Sequence, residues 1–268
     1  MHIDYIHEQG TGALNEDAIF VNGSLFGVFD GATSLDGVTY DRQVTGGYLA
    51  SNIARDAFKR DNAPLTVLAA QANRNLRREM IAKGVDLSHK QSLWSTSAAV
   101  IRVNGDHFEW VQSGDSLILA IYADGSHKLL VENDDHDVET LLMWRKMAPT
   151  CTGSIRDELM EQIRKVRRGM NVSYGVINGE HAALDFLKSG TEPLAGIRHL
   201  LLFTDGLFLP SEDPSRPHDF NRFVRIFCKS GLSGLRNHIR SLQETDPECR
   251  LFPRFKAHDD IAAVSLSL

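Results

Sequence analysis

Carboxylates at the ends of apolar runs are the residues of this chain with chemistry to offer. The stretch "LFGVFDGATS", residues 25–34, reads as a buried strand that stops on Asp30 and Gly31. An ionised carboxylate at the mouth of a strand is costly unless a cation or a set of donors receives it, and a glycine beside it lets the backbone approach whatever is held. The arrangement recurs. Glu16 and Asp17 stand in "NEDA", Asp115 in "SGDS", Asp205 in "LLLFTDG", and Asp259 with Asp260 in "HDDI", each bordering an apolar segment. An Asp-Gly pair after a strand is by itself a good turn, but independent turns do not make so many apolar strands halt on an aspartate. Converging carboxylates would repel and could not all stay ionised. Divalent cations resolve this, and an all-oxygen set suits Mg²⁺ or Mn²⁺ rather than zinc. Two such ions about 3.5–4 Å apart can hold a bridging hydroxide and clamp a phosphoryl group for in-line displacement.

The elements that must position these acids are legible from pattern. "DAIFVN" (17–22) and "SLFGVFD" (24–30) flank Asn22-Gly23, a strong hairpin signal. Two helices follow, one from about Asp41 to Arg60, the second opening at Pro64 with Leu65, Leu68, Ala72, Leu76 and Met80 on one stripe. Strands over 95–104, 107–114, 116–123 and 126–132 are separated by Asn104-Gly105, Gly114-Asp115 and Asp124-Gly125, which predicts an antiparallel meander. "HLLLFTDG" (199–206) and "HDDIAAVSLSL" (258–268) are further strands, with short helices around 218–230 and 232–243 between them. Residues 133–198 read as irregular, with an acidic "ENDDHD" patch, Met143 and Trp144 as packing residues, and a charged helix near 155–168. Paired helices between runs of strands predict layers, an α+β fold built as a mostly antiparallel sandwich covered by helices, with residues 1–268 as one domain.

Composition excludes several functions. A chain of 268 residues with 42% hydrophobic and 24% charged residues is ordinary globular protein, and a formal net charge of −6 argues against nucleic acid or an anionic membrane as partner. The basic run "IRKVRRG" (163–169) reads as a solvated helix face. Cys151, Cys228 and Cys249 are scattered and odd in number, which fits a reducing compartment. With no signal-peptide pattern at the N-terminus and no apolar window long enough to span a membrane, the expected location is cytoplasmic.

The ordered set "NED", "FGVFDGA", "STSAAV…VQSGDS", "LLLFTDG" and "DDIAAVSL" resembles the PP2C (PPM) family of metal-dependent protein serine/threonine phosphatases, from about residue 10 to the C-terminus. The resemblance implies a four-layer α-β-β-α sandwich of two antiparallel sheets, each backed by a helix pair. It implies Mn²⁺ or Mg²⁺, two ions and a third, weaker one. Asp30 would bridge the two ions and the Gly31 carbonyl would bind one, while Asp205 and Asp259 would complete the other shell. On this likeness Asp30, Asp205 and Asp259 are the catalytic set. Glu16 and Asp17 match the family's acidic pair, which acts largely through water. Asp115 matches the aspartate that helps hold the third ion, and Asp260 sits one step further out. Residues 133–198 occupy the place of the family's flap. A phosphorylated protein substrate and a cognate Ser/Thr kinase are the partners implied.

Two positions depart from that family. Ala32 stands where many eukaryotic members carry a histidine proposed to protonate the leaving oxygen, and Gly12 where many members carry a phosphate-binding arginine. A general acid typically contributes about 10²–10⁴-fold, so the departures imply modest activity that falls harder on phosphoserine than on an aryl phosphate. His258, beside Asp259, is the best-placed histidine by sequence, but a histidine preceding a strand reads first as a surface or hydrogen-bonding residue. Arg42 reads as a surface arginine at a helix start rather than a phosphate ligand. The competing readings are a catalytically weak pseudophosphatase acting as a partner-binding regulatory module, and a phosphatase for a small phosphorylated metabolite.

Overall fold

Alternation along the strands assigns each side chain to a layer. The computed structural model describes residues 1–59, 63–132 and 135–268, the Arg42 side chain excepted. Its elements are β1 (His2–Glu8), β2 (Ala18–Asn22), β3 (Leu25–Gly31), β4 (Thr39–Tyr40), β5 (Val44–Thr45), α1 (Gly46–Lys59), α2 (Leu65–Ala82), β6 (Thr96–Asn104), β7 (His107–Ser113), β8 (Leu117–Tyr122) and β9 (His127–Leu129). They continue as α3 (Val138–Met147), α4 (Ile155–Glu158), α5 (Met160–Arg167), β10 (Lys188–Pro193), β11 (Ile197–Phe203), α6 (Phe220–Glu244) and β12 (Ile261–Ser267). Sheet one has the order β1-β12-β11-β8-β9 and sheet two β10-β7-β6-β3-β2, with antiparallel neighbours; β4 and β5 pair by themselves.

Odd and even positions then part. Phe26, Val28, Ala99 and Ile101 of sheet two meet Ile118, Leu200, Leu202 and Val264 of sheet one in the layer between the sheets. Their neighbours Phe29, Ala98 and Val100 face away, against Ala50, Ala54, Phe58, Leu68 and Leu76 of α1 and α2. Leu119, Leu201, Phe203 and Ala263 face the other way, against Phe223, Phe227, Leu235 and Ile239 of α6. A strand buried on both faces must read as continuous apolar sequence, as "SLILAIYA" and "HLLLF" do. The four-layer sandwich expected from pattern and resemblance is the observed architecture. Gly231 breaks α6 with a φ of 69°, so it is two helical arms, as the two short helices expected there.

Three local expectations change. The meander is split: β6 and β7 belong to sheet two, β8 and β9 to sheet one, so the Gly114-Asp115 turn carries the chain across the sandwich. The edge strands β1 and β10 were not anticipated, because one face of an edge strand meets solvent; "KSGTEP" carries no apolar alternation and ends on proline. Helix α1 starts at Gly46 rather than Asp41, after β4, a 3₁₀ turn and β5; the Thr45 hydroxyl receives the Tyr48 N–H at 3.1 Å and caps it. Within 133–198 the chain forms α3, α4 and α5 around a small core shared with the segment before β12, where Trp144 is buried with Ile155, Leu159 and Cys249. The Trp144 indole donates to the Cys249 carbonyl at 2.7 Å, whereas Met143 is exposed. Residues 133 and 134 of the acidic patch lie outside the described residues.

Candidate active site

Sheet order brings the strand-end acids to one edge of the sandwich. Asp30 is the penultimate residue of β3, paired with Ser97 of β6. Asp205 follows β11 and opens a short 3₁₀ turn, Asp259 lies just before β12, and Asp115 sits on the crossing between the sheets. These four, with Gly31, line a single cleft. Gly31 is forced by packing: a Cβ there would lie 2.2 Å from the Gly47 carbonyl oxygen and 2.6 Å from that of Glu16. The close approach that this glycine permits is therefore to the start of α1 and to the 14–17 turn.

Two predicted residues stand behind the cleft. Asp17 is buried and accepts the Thr204 hydroxyl at 2.7 Å; Thr204 also bridges to β12, taking the Ala262 N–H at 3.0 Å. Glu16 is buried too, but its carboxylate is received by the hydroxyls of Thr33 and Thr45. Asp260 is a brace, accepting the Gly10 N–H at 2.7 Å and the Glu16 N–H at 2.8 Å and so tying the 10–16 turn to the entry of β12.

The electrostatics of the cluster are those of crowded anions. Burial pushes the carboxyls of Asp17, Asp30 and Asp205 well above the ordinary aspartate range, and their mutual repulsion, with Asp115 and Asp259, pushes the same way. Asp30 and Asp205 each raise the other's cost of ionising, so the two carboxylates oppose one another across the cleft. One cation was not foreseen. The Lys256 ammonium lies 2.7 Å from Asp259 Oδ1 and 4.0 Å from Glu16 Oε2. Burial alone would lower its pKa; Asp259, Asp30 and Glu16 overcome that and hold it well above the ordinary lysine value. Every acidic donor here is an oxygen, the chemistry a hard divalent ion takes. As the side chains stand, no group of three or more His, Cys, Asp or Glu among the described residues is gathered to hold a metal ion.

The cleft has two arms that share Asp115, Asp205 and Asp259. One runs past Phe208, Pro210 and Phe252. The other is walled by α5, Ala32, Thr33 and Tyr174, where the His136 ring stacks flat on Tyr174 with centroids 3.8 Å apart and 2° between planes. Its Nε2 stands 3.7 Å from Asp137, whose carboxyl burial pushes upward.

A family model for protein phosphatase 2C matches residues 7–242. The chain belongs to the protein phosphatase 2C family. The fold agrees: the chain is similar to the catalytic domain of the serine threonine protein phosphatase PstP in complex with two manganese ions, at 14% identity and a TM-score of 0.60 over 98% of this chain and 96% of that one. It is similar to Stp1 from Staphylococcus aureus at 17% identity and 0.61, over 99% and 94%. A third likeness is to PppA, a regulatory component of T6SS in Pseudomonas aeruginosa, at 18% identity and 0.60, over 100% and 97%. No curated protein sequence matches the chain.

Both positions that depart from the expected motif lie in loops, and Ala32 lines the cleft. Gly12 sits in a turn whose carbonyl accepts Gln9 Nε2 at 2.7 Å. His258 does not fill the place of the missing histidine: it lines a separate hollow with Glu8, Arg236 and Arg240, away from the acids, and burial together with Arg240 lowers its pKa. The Arg42 side chain lies outside those described. Lys256, Arg167 and His136 are the cleft residues that sequence reasoning passed over. Only Lys256 carried a local signal, its i,i+3 spacing to Asp259.

Proposed function

We propose that the chain is a metal-dependent phosphatase that hydrolyses phosphoserine and phosphothreonine on proteins. The observation that carries this reading is the meeting of Asp30 from sheet two with Asp115, Asp205 and Asp259 in one cleft of a protein phosphatase 2C chain. In this reading Asp30, the Gly31 carbonyl, Asp205 and Asp259 would hold two divalent cations. Asp115 with Asp205 would hold a third, weaker ion, and Asp17 and Glu16 would act from behind through water. When bound, Mn²⁺ or Mg²⁺ supplies an activated water and positive charge on the phosphoryl oxygens; the two manganese ions of the PstP structure favour manganese. The chain's own residues do the rest. Thr204 fixes Asp17 by a hydrogen bond, Asp260 braces the turn that carries Glu16, and Lys256 offsets part of the negative charge. A kinase that adds the phosphate is the implied counterpart. The three free cysteines suit a reducing, cytoplasmic setting, and among the described residues no helix is long and apolar enough to cross a membrane.

The test is hydrolysis of an aryl phosphate and of a phosphothreonine peptide by purified protein, with Mn²⁺ and Mg²⁺ titrated and Asp30→Asn as control. Metal-dependent turnover of both, lowered at least about a thousandfold in the variant, is the expected result, since a shared ligand stabilises the transition state by several kcal/mol. Turnover of the aryl phosphate alone identifies the missing acid at Ala32. The second reading, a partner-binding module, is favoured by Lys256 seated on Asp259; a folded protein inert with every cation selects it.

A further inference from the structure

A phosphate dianion entering a cleft floored by carboxylates needs donors on the opposite wall, and Gly12 has no side chain to supply one. Three cationic side chains line the arm beside Ala32: Arg156, Arg167 and Lys256. Lys256 is engaged by Asp259. The basic run that reads as a solvated face is that only in part: Arg164 pairs with Glu161 and Lys165 with Glu139 on the outside of α5. Arg167, the last residue of α5, turns inward. Its Nη2 donates to the Thr33 carbonyl at 3.3 Å, two residues beyond Gly31, so the guanidinium sits at the loop that carries Ala32. That is its one hydrogen bond among the described residues, from a group that carries five N–H donors in a planar fork. A second donor waits on the same wall. Ser95 lines the arm, is 1% exposed, and its hydroxyl has no hydrogen-bond partner among the described residues. The Ser95 carbonyl takes the Ala32 N–H at 3.0 Å, which fixes the loop beneath.

We propose that Arg167, carried in from α5, is the phosphate-binding residue of this cleft, with the Ser95 hydroxyl as its companion donor. The inference rests on the phosphatase reading and deepens it, because the same residue sets how tightly product phosphate is held. A planar fork suits phosphate as a lysine point charge does not.

Inorganic phosphate is the probe. Its binding to the Mn²⁺-loaded and metal-free protein is followed by ³¹P NMR titration, with Mn²⁺ binding measured separately by calorimetry. Arg167→Ala is expected to weaken phosphate binding roughly 10–100-fold, the range of a charge-assisted bidentate pair, and to raise KM more than it lowers kcat. Arg167→Lys should recover part of that, and Arg164→Ala should change nothing. Ser95→Ala should weaken binding by a smaller factor. Unchanged phosphate affinity in a folded Arg167→Ala overturns the assignment, as does a loss matched by equal loss of Mn²⁺ affinity. A wild type that binds phosphate through Arg167 but hydrolyses nothing upholds the assignment while the catalytic reading fails. A wild type that binds no phosphate overturns the assignment and leaves the catalytic reading to the turnover test.

Discussion

Single residues in this cleft are held against their own chemistry. Lys256 is the clearest case, an ammonium pulled among acids that a divalent ion would also claim. Its replacement by methionine is expected to have two opposite effects. The metal-free protein should lose roughly 2 kcal/mol, the worth of a hydrogen bond to a charged group, while the apparent Kd for Mn²⁺ falls about tenfold because the competitor on Asp259 is gone. Denaturant titration and calorimetry on the same variant separate the two. His258→Ala, by contrast, should leave kcat/KM within about twofold, since that ring sits in another hollow; a large loss would restore it as the acid. The strand-end aspartates were legible because each interrupts an apolar run, a break that burial physics must explain. Lys256 and Arg167 were not. The i,i+3 spacing of Lys256 to Asp259 in "RFKAHDD" pairs the two charges without saying that they face a cleft. Nothing in "IRKVRRG" separates a charge facing solvent from one facing inward, and helix α5 presents both kinds.

At the scale of elements, the segment between α6 and β12 sets where Lys256 and Asp259 stand. Asp246 is its anchor. Burial pushes this carboxyl up, but the N–H groups of Phe252, Leu251 and Arg250 and the Arg254 guanidinium outweigh burial and hold it below the ordinary range. Arg254 lies 2.9 Å from Asp246 Oδ2 and also reaches the Ala257 and Phe252 carbonyls. Asp246→Asn should cost roughly 3 kcal/mol, as breaking a buried pair does, measured by urea unfolding. The sign for pH follows from the lowered value: the contribution is full above the unfolded pKa and is lost as pH falls through the folded one. Legibility was uneven here too. Core strands and both helix pairs follow from alternation and spacing. The crossing at Gly114-Asp115 was hidden because a tight turn looks the same whether the next strand stays in the sheet or leaves it.

For the whole molecule, the raised carboxyls of Asp17, Asp30 and Asp205 act in the opposite sense to Asp246. An aspartate whose folded pKa exceeds its unfolded one favours the folded state while protonated, and that advantage is lost as pH rises from the unfolded value through the folded value. The metal-free protein is therefore expected to lose melting temperature as pH is raised from about 4 toward 8. Mn²⁺ or Mg²⁺ should restore more at pH 8 than at pH 5, and Asp30→Asn should flatten the metal-free curve. Differential scanning fluorimetry across pH, with and without cation, reads all three; a metal-free curve that rises with pH would overturn the repulsion argument.

Sheet order also has a consequence in time. Strand β12 lies between β1 and β11, so the first strand of the chain reaches its sheet only through one of the last. While the polypeptide is still shorter than about Ile261, sheet two can assemble, since β2, β3, β6, β7 and β10 are all made by then. Sheet one then has a missing middle, and Asp259 has only just been added. Nascent chains arrested on the ribosome before β12 should protect β3 and β6 from proteolysis and leave β1 open. The cleft thus comes into being after nearly all of the polypeptide around it.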